Sequence, residues 1–358
     1  MARSEGMNYA PKGKSEPVVG PGEFQFAAAH LDHGHIYGQC NGLIEAGAEM
    51  KYVFDTDQMR LKEFCKSYPK AEPVDDIRRI LDDPEIQLVS AAAIPCDRGP
   101  IGLQVLDAGK HYFTDKSPFT TLDQLADARA KVKSSGKKYM VYYAERLHQE
   151  AGFHAGEMIK DGIIGDVVQV LIMAPHRLSK DKRPDWFFEK DKYGGILTDI
   201  GSHQFEQFLT YAGASDATVN SARVENFASP DKPGLEDFGE ASLTADTGAS
   251  CYCRVDWFTP DGLSFWGDGR VFVVGKKGTM EVRKYCDVTR GGSDKIFLVD
   301  GEGEKLIECK DQVAFPFFGQ LIEDCLNGTE TAMTQEHAFK AAEISMVAQK
   351  MADEARAN

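Results

Sequence analysis

The feature that most restricts the fold of this chain is a regular alternation of strand-like and helix-like patterns through its first half. Residues 23–29, 49–54, 86–93, 111–114 and 139–143 read as strands, and residues 34–46, 59–67, 77–82, 99–108 and 122–134 between them read as helices. Strands joined by helical crossovers pair in parallel, and a parallel sheet is covered by helices on both faces. After residue 146 the pattern changes. Strand-like runs at 167–174, 218–227, 239–245, 250–258, 271–274 and 279–284 follow one another through Gly and Pro turns. Such a succession predicts a largely antiparallel open sheet with helices on one side. With 358 residues, the chain is long enough for two cores. The expected organisation is α/β: a flexible arm over 1–22, a doubly wound domain over 23–146, and an α+β substrate and oligomerisation domain with C-terminal helices over 147–358.

Composition narrows the function classes. A formal charge of −15 with no basic stripe argues against nucleic acid, whose phosphates need a basic surface. The apolar runs at 87–94 and 167–174 fall short of the roughly 18 residues of a membrane span. No signal-peptide core opens the chain, so cytoplasmic residence is the expectation and no membrane partner is expected. The 8 cysteines include no C-x-x-C pair and suit reduced thiols, with Cys251 and Cys253 sharing a strand face.

A doubly wound sheet binds its ligand at the carboxyl ends of its strands. The first such turn, Ala29-His30-Leu31-Asp32-His33-Gly34, has the spacing of G-x-G-x-x-G but keeps only the third glycine. Glycines there allow a tight turn and close approach to a pyrophosphate, and what survives is the helix N-terminus. Leu31, Asp32, His33 and Gly34 form the candidate cofactor loop, joined by Ile94 and Pro95 after a later strand. Asp55 closes the second strand. It is either a carboxylate for ribose hydroxyls, favouring NAD over NADP, or a cap for the next helix. His30, His33 and His35 beside Asp32 invite a metal, but H-x-x-H-x-H in a loop matches no closed metal motif. No metal ligand is assigned, and the histidines are read as donors to backbone or phosphate.

The stretch Gly194-Gly195-Ile196-Leu197-Thr198-Asp199-Ile200-Gly201-Ser202-His203 sets a carboxylate and an imidazole four residues apart. On a helix these share a face, and a His beside an Asp can take the hydroxyl proton that alcohol oxidation releases. The same spacing also suits a capped surface helix. Arg146, His176, Arg177, Arg183 and Trp186 supply the polar and aromatic surfaces that sugars need. Trp266 reads better as a packed core or interface residue.

The segment Gly109-Lys110-His111-Tyr112-Phe113-Thr114-Asp115-Lys116-Ser117-Pro118 resembles the A-G-K-H-V-x-x-E-K-P signature of the Gfo/Idh/MocA oxidoreductases. Gly-Gly-x-Leu-x-Asp-x-Gly-x-His resembles the second signature of that family. Tyr142 to Arg146, the turn Gly162-Ile163-Ile164-Gly165-Asp166, and the closing segment Met333 to Ala338 with a helix over 343–352 extend the likeness. Three features depart from it: the altered glycine loop, Ser117 in place of the proline after the lysine, and a segment 95–99 without the usual Asn and His. The resemblance implies a Rossmann domain, with Asp115 and Lys116 at the cofactor and Lys116, Asp199 and His203 as the catalytic set. It also implies a homodimer or homotetramer packed through the open sheet. The implied reaction moves a hydride between NAD, less readily NADP, and a secondary hydroxyl of a sugar, cyclitol or glycoside. Two rival expectations are a catalytically silent dinucleotide- or sugar-binding regulator and a metal-dependent hydrolase or isomerase built on the histidine loop.

Overall fold

The structure, a computed structural model, describes residues 10–11 and 15–357. The chain forms two compact units, the first running to Tyr142 and taking in Ala314–Phe339, the second comprising Tyr143–Val313 and the segment from Lys340.

In the first unit six parallel strands, β1 (Gln25–Ala29), β2 (Glu49–Phe54), β3 (Glu72–Val74), β4 (Ile86–Ala91), β5 (His111–Asp115) and β6 (Tyr139–Tyr142), lie in the order β3-β2-β1-β4-β5-β6. The order reverses between β1 and β4, which is where a doubly wound sheet opens its crevice. Phe26, Ala27, Ala28 and Ala29 of β1 are fully buried, as a central strand covered on both faces requires. β3 was not evident in the sequence. It is three residues long and carries Pro73, and it sits at the sheet edge, where a missing N–H disturbs no ladder. Helices α1 (His35–Glu45) and α2 (Gln58–Ser67) follow β1 and β2.

One boundary near residue 146 does not describe this unit, because the helix Phe317–Asn327 returns to it. Phe317, Phe318, Leu321 and Ile322 are buried, with Phe318 against Phe113 and Tyr142. A Cβ on Gly42 of α1 would lie 2.3 Å from the Phe318 ring, so only glycine admits the helix this close. Of the expected arm, residues 1–9 and 12–14 lie outside the described residues. Its later part is tied down: Ser15 Oγ donates to Phe315 O at 2.8 Å and Val18 N to Ala46 O at 3.0 Å.

In the second unit eight strands, β7 (Val167–Pro175), β8 (Ala217–Glu225), β9 (Phe238–Ala245), β10 (Ser250–Asp256), β11 (Arg270–Gly275), β12 (Gly278–Arg283), β13 (Lys295–Asp300) and β14 (Gly303–Glu308), lie in the order β14-β13-β12-β11-β7-β10-β9-β8. Every pairing is antiparallel except β7 with β10. Val170, Ile172 and Ala174 of β7 and Cys251, Cys253 and Val255 of β10 alternate inward and are buried. The helix Gly201–Ala212 packs on these strands. Val168, Val299 and Leu306 leave apolar surface exposed. β14 escaped the sequence reading because it is an exposed, charged edge strand with little alternation. All eight cysteines are free thiols. No helix among the described residues is long and apolar enough to cross a membrane.

Candidate functional site

In the first unit the carboxyl ends of β1, β2, β4 and β5 bring the candidate cofactor residues to one edge. The loop after β1 is held without its first two glycines. His30 takes a left-handed φ of 53°, its N–H donates to Phe54 O at 3.0 Å, and its carbonyl accepts Ala92 N at 3.1 Å. Leu31 stands where the second glycine would be, and its N–H donates to Asp55 Oδ2 at 2.6 Å. A carboxylate therefore closes the turn that glycine freedom would otherwise close. Asp55 is 2 % exposed and also accepts from Asp57 N at 2.6 Å and Arg60 Nη2 at 3.0 Å. The cap of α2 is Asp57, which accepts from Met59 N and Arg60 N, so Asp55 is not the helix cap. Arg60 Nη2 reaches Asp32 Oδ1 as well, at 3.0 Å.

Gly34 precedes α1 at its cap position and supplies no side-chain cap. Among the described residues the N–H groups of Asp32 and Gly34 find no acceptor, whereas His33 N donates to Ala92 O at 2.9 Å. Orphan donors at a helix N-terminus, with carboxylates beyond the second strand, fit a dinucleotide: Asp32 and Gly34 would receive pyrophosphate oxygens. Ile94 and Pro95 open the helix Pro95–Asp107 after β4, with Pro95 buried.

At the end of β5 Asp115 is fully buried among three side-chain partners. His35 Nδ1 lies 2.9 Å from Oδ1, and His33 Nδ1 and Arg98 Nη2 lie 3.1 and 3.2 Å from Oδ2. Burial pushes the Asp115 carboxyl up, but His35, Arg98 and His33 outweigh it and leave it well below the usual carboxylate range. Burial and the neighbouring His35 hold His33 down at about 3, so its ring is neutral near pH 7. These histidines and Asp115 place ligand-type atoms within 4.8 Å of one another. The charge that Asp115 neutralises there is the Arg98 guanidinium, which also donates to Ala93 O at 2.7 Å, to Lys116 O and to Ser117 O at 3.1 Å. Arg98 was missed in the sequence, where nothing in 95–99 signalled that it would clamp the strand end bearing Lys116. Lys116 N donates to Asp115 Oδ1 at 2.8 Å, and its side chain is largely buried.

Asp199 and His203 belong to the second unit. Asp199 ends the short helix Ile196–Asp199 and His203 lies in the first turn of Gly201–Ala212, with Ile200 between them in right-handed helical conformation. Gly195 precedes them at φ +92°, where a Cβ would meet Gln349 at 2.2 Å; Gln349 accepts from Leu197 N at 3.0 Å. The glycine pair thus serves the turn and its packing.

His203 is 3 % exposed, with its ring 6.3 Å from Tyr143. It shares the field of Glu145, a residue the sequence reading passed over. Glu145 Oε2 lies 2.5 Å from the fully buried Lys284 Nζ and Oε1 lies 3.3 Å from His176 Nε2. Burial raises the Glu145 carboxyl, but Lys284, His176 and His203 overcome it and hold it well below the usual range. Lys284 Nζ also donates to Gln207 Oε1 at 3.1 Å. His176 packs 4.5 Å from Trp266, itself buried as expected.

The remaining candidates are engaged by protein. Arg146 is held by Glu206 through Nε at 2.9 and 3.0 Å and through Nη2, so its guanidinium braces the helix Gly201–Ala212. Arg183 donates to Leu178 O at 2.8 Å and lies over the Phe187 and Trp257 rings. Arg177 is buried and its Nη2 fastens the loop carbonyls of Leu263 and Phe265, at 2.6 and 2.8 Å. Trp186 is 8 % exposed and its indole N–H has no acceptor among the described residues.

Comparison with known proteins finds relatives across both units. Residues 18–143 match the family model for the "Oxidoreductase family, NAD-binding Rossmann fold", and residues 154–281 match the "GFO/IDH/MocA C-terminal domain". A crystal structure from Erwinia carotovora atroseptica is 45% identical, covers 92% of this chain and 99% of its own, and superposes with a TM-score of 0.90. Levoglucosan dehydrogenase, solved with NADH and levoglucosan, has the same fold at 16% identity, with a TM-score of 0.77 and coverage of 92% and 97%. The scyllo-inositol 2-dehydrogenase (NADP(+)) of Bacillus subtilis is 24% identical over 46% of this chain and 46% of its own. The match spans 63%, 50% and 65% of the length of three further curated relatives, all oxidoreductases by name. A parallel sheet of order β3-β2-β1-β4-β5-β6, a signature lysine at the end of β5 and matches across both units place this chain in the Gfo/Idh/MocA oxidoreductase family.

Proposed function

We propose that this protein is an NAD-dependent dehydrogenase that exchanges a hydride with a secondary hydroxyl of a sugar, cyclitol or glycoside. The observation that carries the reading is the position of Lys116, clamped by Asp115 and Arg98 directly after β5, on the strand-end edge that also carries the open N-terminus of α1. When bound, the nicotinamide supplies the hydride chemistry. The residues supply position and charge. Asp32 and Gly34 hold the pyrophosphate by their N–H groups. Lys116 donates to the reacting oxygen and steadies its alkoxide character, His203 accepts the hydroxyl proton, and Asp199 with the field of Glu145 stabilises the resulting imidazolium. His176 and Trp186 wall the substrate, while Arg146 and Arg183 act by bracing the elements that carry these groups. The part-exposed apolar face of the β7–β14 sheet supports assembly as a homodimer or homotetramer.

The test follows the absorbance of reduced nicotinamide while the protein is given NAD and a panel of sugars, inositols and glycosides. Growth of the band with one compound, lost in Lys116→Ala and His203→Ala, is the expected result. Silence across the panel despite nucleotide binding would transfer the reading to a regulatory dinucleotide-binding protein. Failure to bind either NAD or NADP would remove it.

A further inference from the structure

The cofactor edge contains an arginine as well as carboxylates, and the two imply opposite preferences. A carboxylate after β2 accepts ribose hydroxyls, whereas an arginine at the same place accommodates a 2′-phosphate. Here the two are bonded to each other. Arg60 Nη2 sits 3.0 Å from both Asp32 Oδ1 and Asp55 Oδ1. The side chain of Asp55 is 1 % exposed and its oxygens already receive Leu31 N, Asp57 N and Arg60, which leaves one acceptor direction. The side chains of Asp32 and Arg60 are 15 % and 38 % exposed, so they, not Asp55, form the accessible surface at this end of the crevice. Asp57 and Asp97 add negative charge to the same neighbourhood.

We infer that Asp32 is the residue that makes this site reject a 2′-phosphate, by holding Arg60 as an internal partner and so masking a latent phosphate site. The inference rests on the dinucleotide reading and names the discriminating residue within it. Asp55 organises the loop through Leu31. Asp32 pairs with the part-exposed Arg60 guanidinium, and the two carboxylates leave the trio with net negative charge. Removing the Asp32 charge leaves the Arg60 guanidinium with one carboxylate partner, Asp55, and with less opposing charge beside it.

The experiment is calorimetric titration of the full chain with NADH and with NADPH, which needs no substrate. It uses the wild type, Asp32→Asn, Arg60→Ala and the double variant. The wild type is expected to bind NADH more tightly. Asp32→Asn is expected to narrow the ratio of the two affinities by about tenfold, the scale of one charge acting on a phosphate through a partly screened medium. The narrowing should vanish in the double variant, because no guanidinium remains to be released. Arg60→Ala alone should leave NADPH no better bound and NADH affinity within about threefold, the change expected when an already neutralised cation is removed. An unchanged ratio in Asp32→Asn, an equal narrowing in the double variant, a wild-type preference for NADPH, or a large loss of NADH affinity in Arg60→Ala would each overturn the inference. A wild-type protein that binds neither nucleotide overturns the dinucleotide reading itself. Should Asp32→Asn fail to fold, Asp32→Ser, which also removes the charge, takes its place in the same four-way comparison.

Discussion

Each unit contains a buried carboxylate with one strong cation and two histidines around it. In the first unit the set is Asp115 with Arg98, His33 and His35. In the second it is Glu145 with Lys284, His176 and His203. The resemblance ends at the cation. Arg98 is a planar fork that also binds three backbone carbonyls, so its cluster fixes the course of the chain around Lys116. Lys284 is a point charge that also reaches Gln207 Oε1, so its cluster sets a field around His203, the imidazole proposed above as the proton acceptor. The same composition serves backbone geometry in one place and electrostatics in the other.

The largest effect should come from the groups these clusters serve. Lys116→Ala and His203→Ala are each expected to lower hydride-transfer turnover by about 10²- to 10⁴-fold, the usual range for a positioned proton-transfer group. Nucleotide titration of the same variants should show affinity largely retained. Comparable turnover in either would break the link between cluster and chemistry. The next test separates the cations. Glu145→Gln and Asp115→Asn each strand a buried cation and should cost about 3–5 kcal/mol in urea unfolding. Adding Lys284→Met to Glu145→Gln should recover much of that loss. Arg98→Met added to Asp115→Asn should not, because three carbonyls then lose their donor. Recovery in both would show that the clusters are interchangeable salt bridges.

Asp55→Asn replaces the carboxylate that closes the β1 loop and is expected to weaken NADH binding about tenfold through the Leu31 N–H, a charge-assisted bond of roughly 1.5–3 kcal/mol. The effect that is most gradual with conditions is a pH slope. His33 titrates at about 3 in the folded chain and near its ordinary value of 6.5 once unfolded. Between those values the unfolded chain binds the extra proton, so folding stability rises with pH by up to about 1.4 kcal/mol per unit. His148, buried in the second unit and also at about 3, has the same sign. His33→Gln and His148→Gln should each flatten the pH dependence of urea unfolding by up to one proton. A variant with an unaltered slope would show that its histidine is not held neutral by folding.

The sequence disclosed the parallel and antiparallel halves because burial on both faces and burial on one leave different periodicities. It offered Asp115-Lys116 and Asp199 with His203 as candidates because each pair lies within a contiguous motif. Glu145 and Lys284 were illegible for the opposite reason: 139 positions separate them, and only the ends of other elements bring them together. Arg98 was in plain view, yet its partners are mostly carbonyls, which no side-chain pattern records. Gly34 as the surviving glycine pointed to the helix N-terminus, but that Asp55 would close the loop by accepting Leu31 N could not be read from a residue 24 positions away. The return of Phe317–Asn327 to the first unit left no trace beyond an amphipathic stretch that either unit could have used.

That return governs the order in which the protein is made. A ribosome delivers all six strands of the first sheet early, yet the helix that covers Gly42, Phe113 and Tyr142 emerges only after β14 of the second unit. The half synthesised first is therefore completed after the other sheet has been synthesised, and its nascent form exposes the apolar surface awaiting Phe317, Phe318, Leu321 and Ile322. A fragment ending at Tyr142 would keep that surface bare, whereas a fusion carrying 314–339 on a linker would cover it.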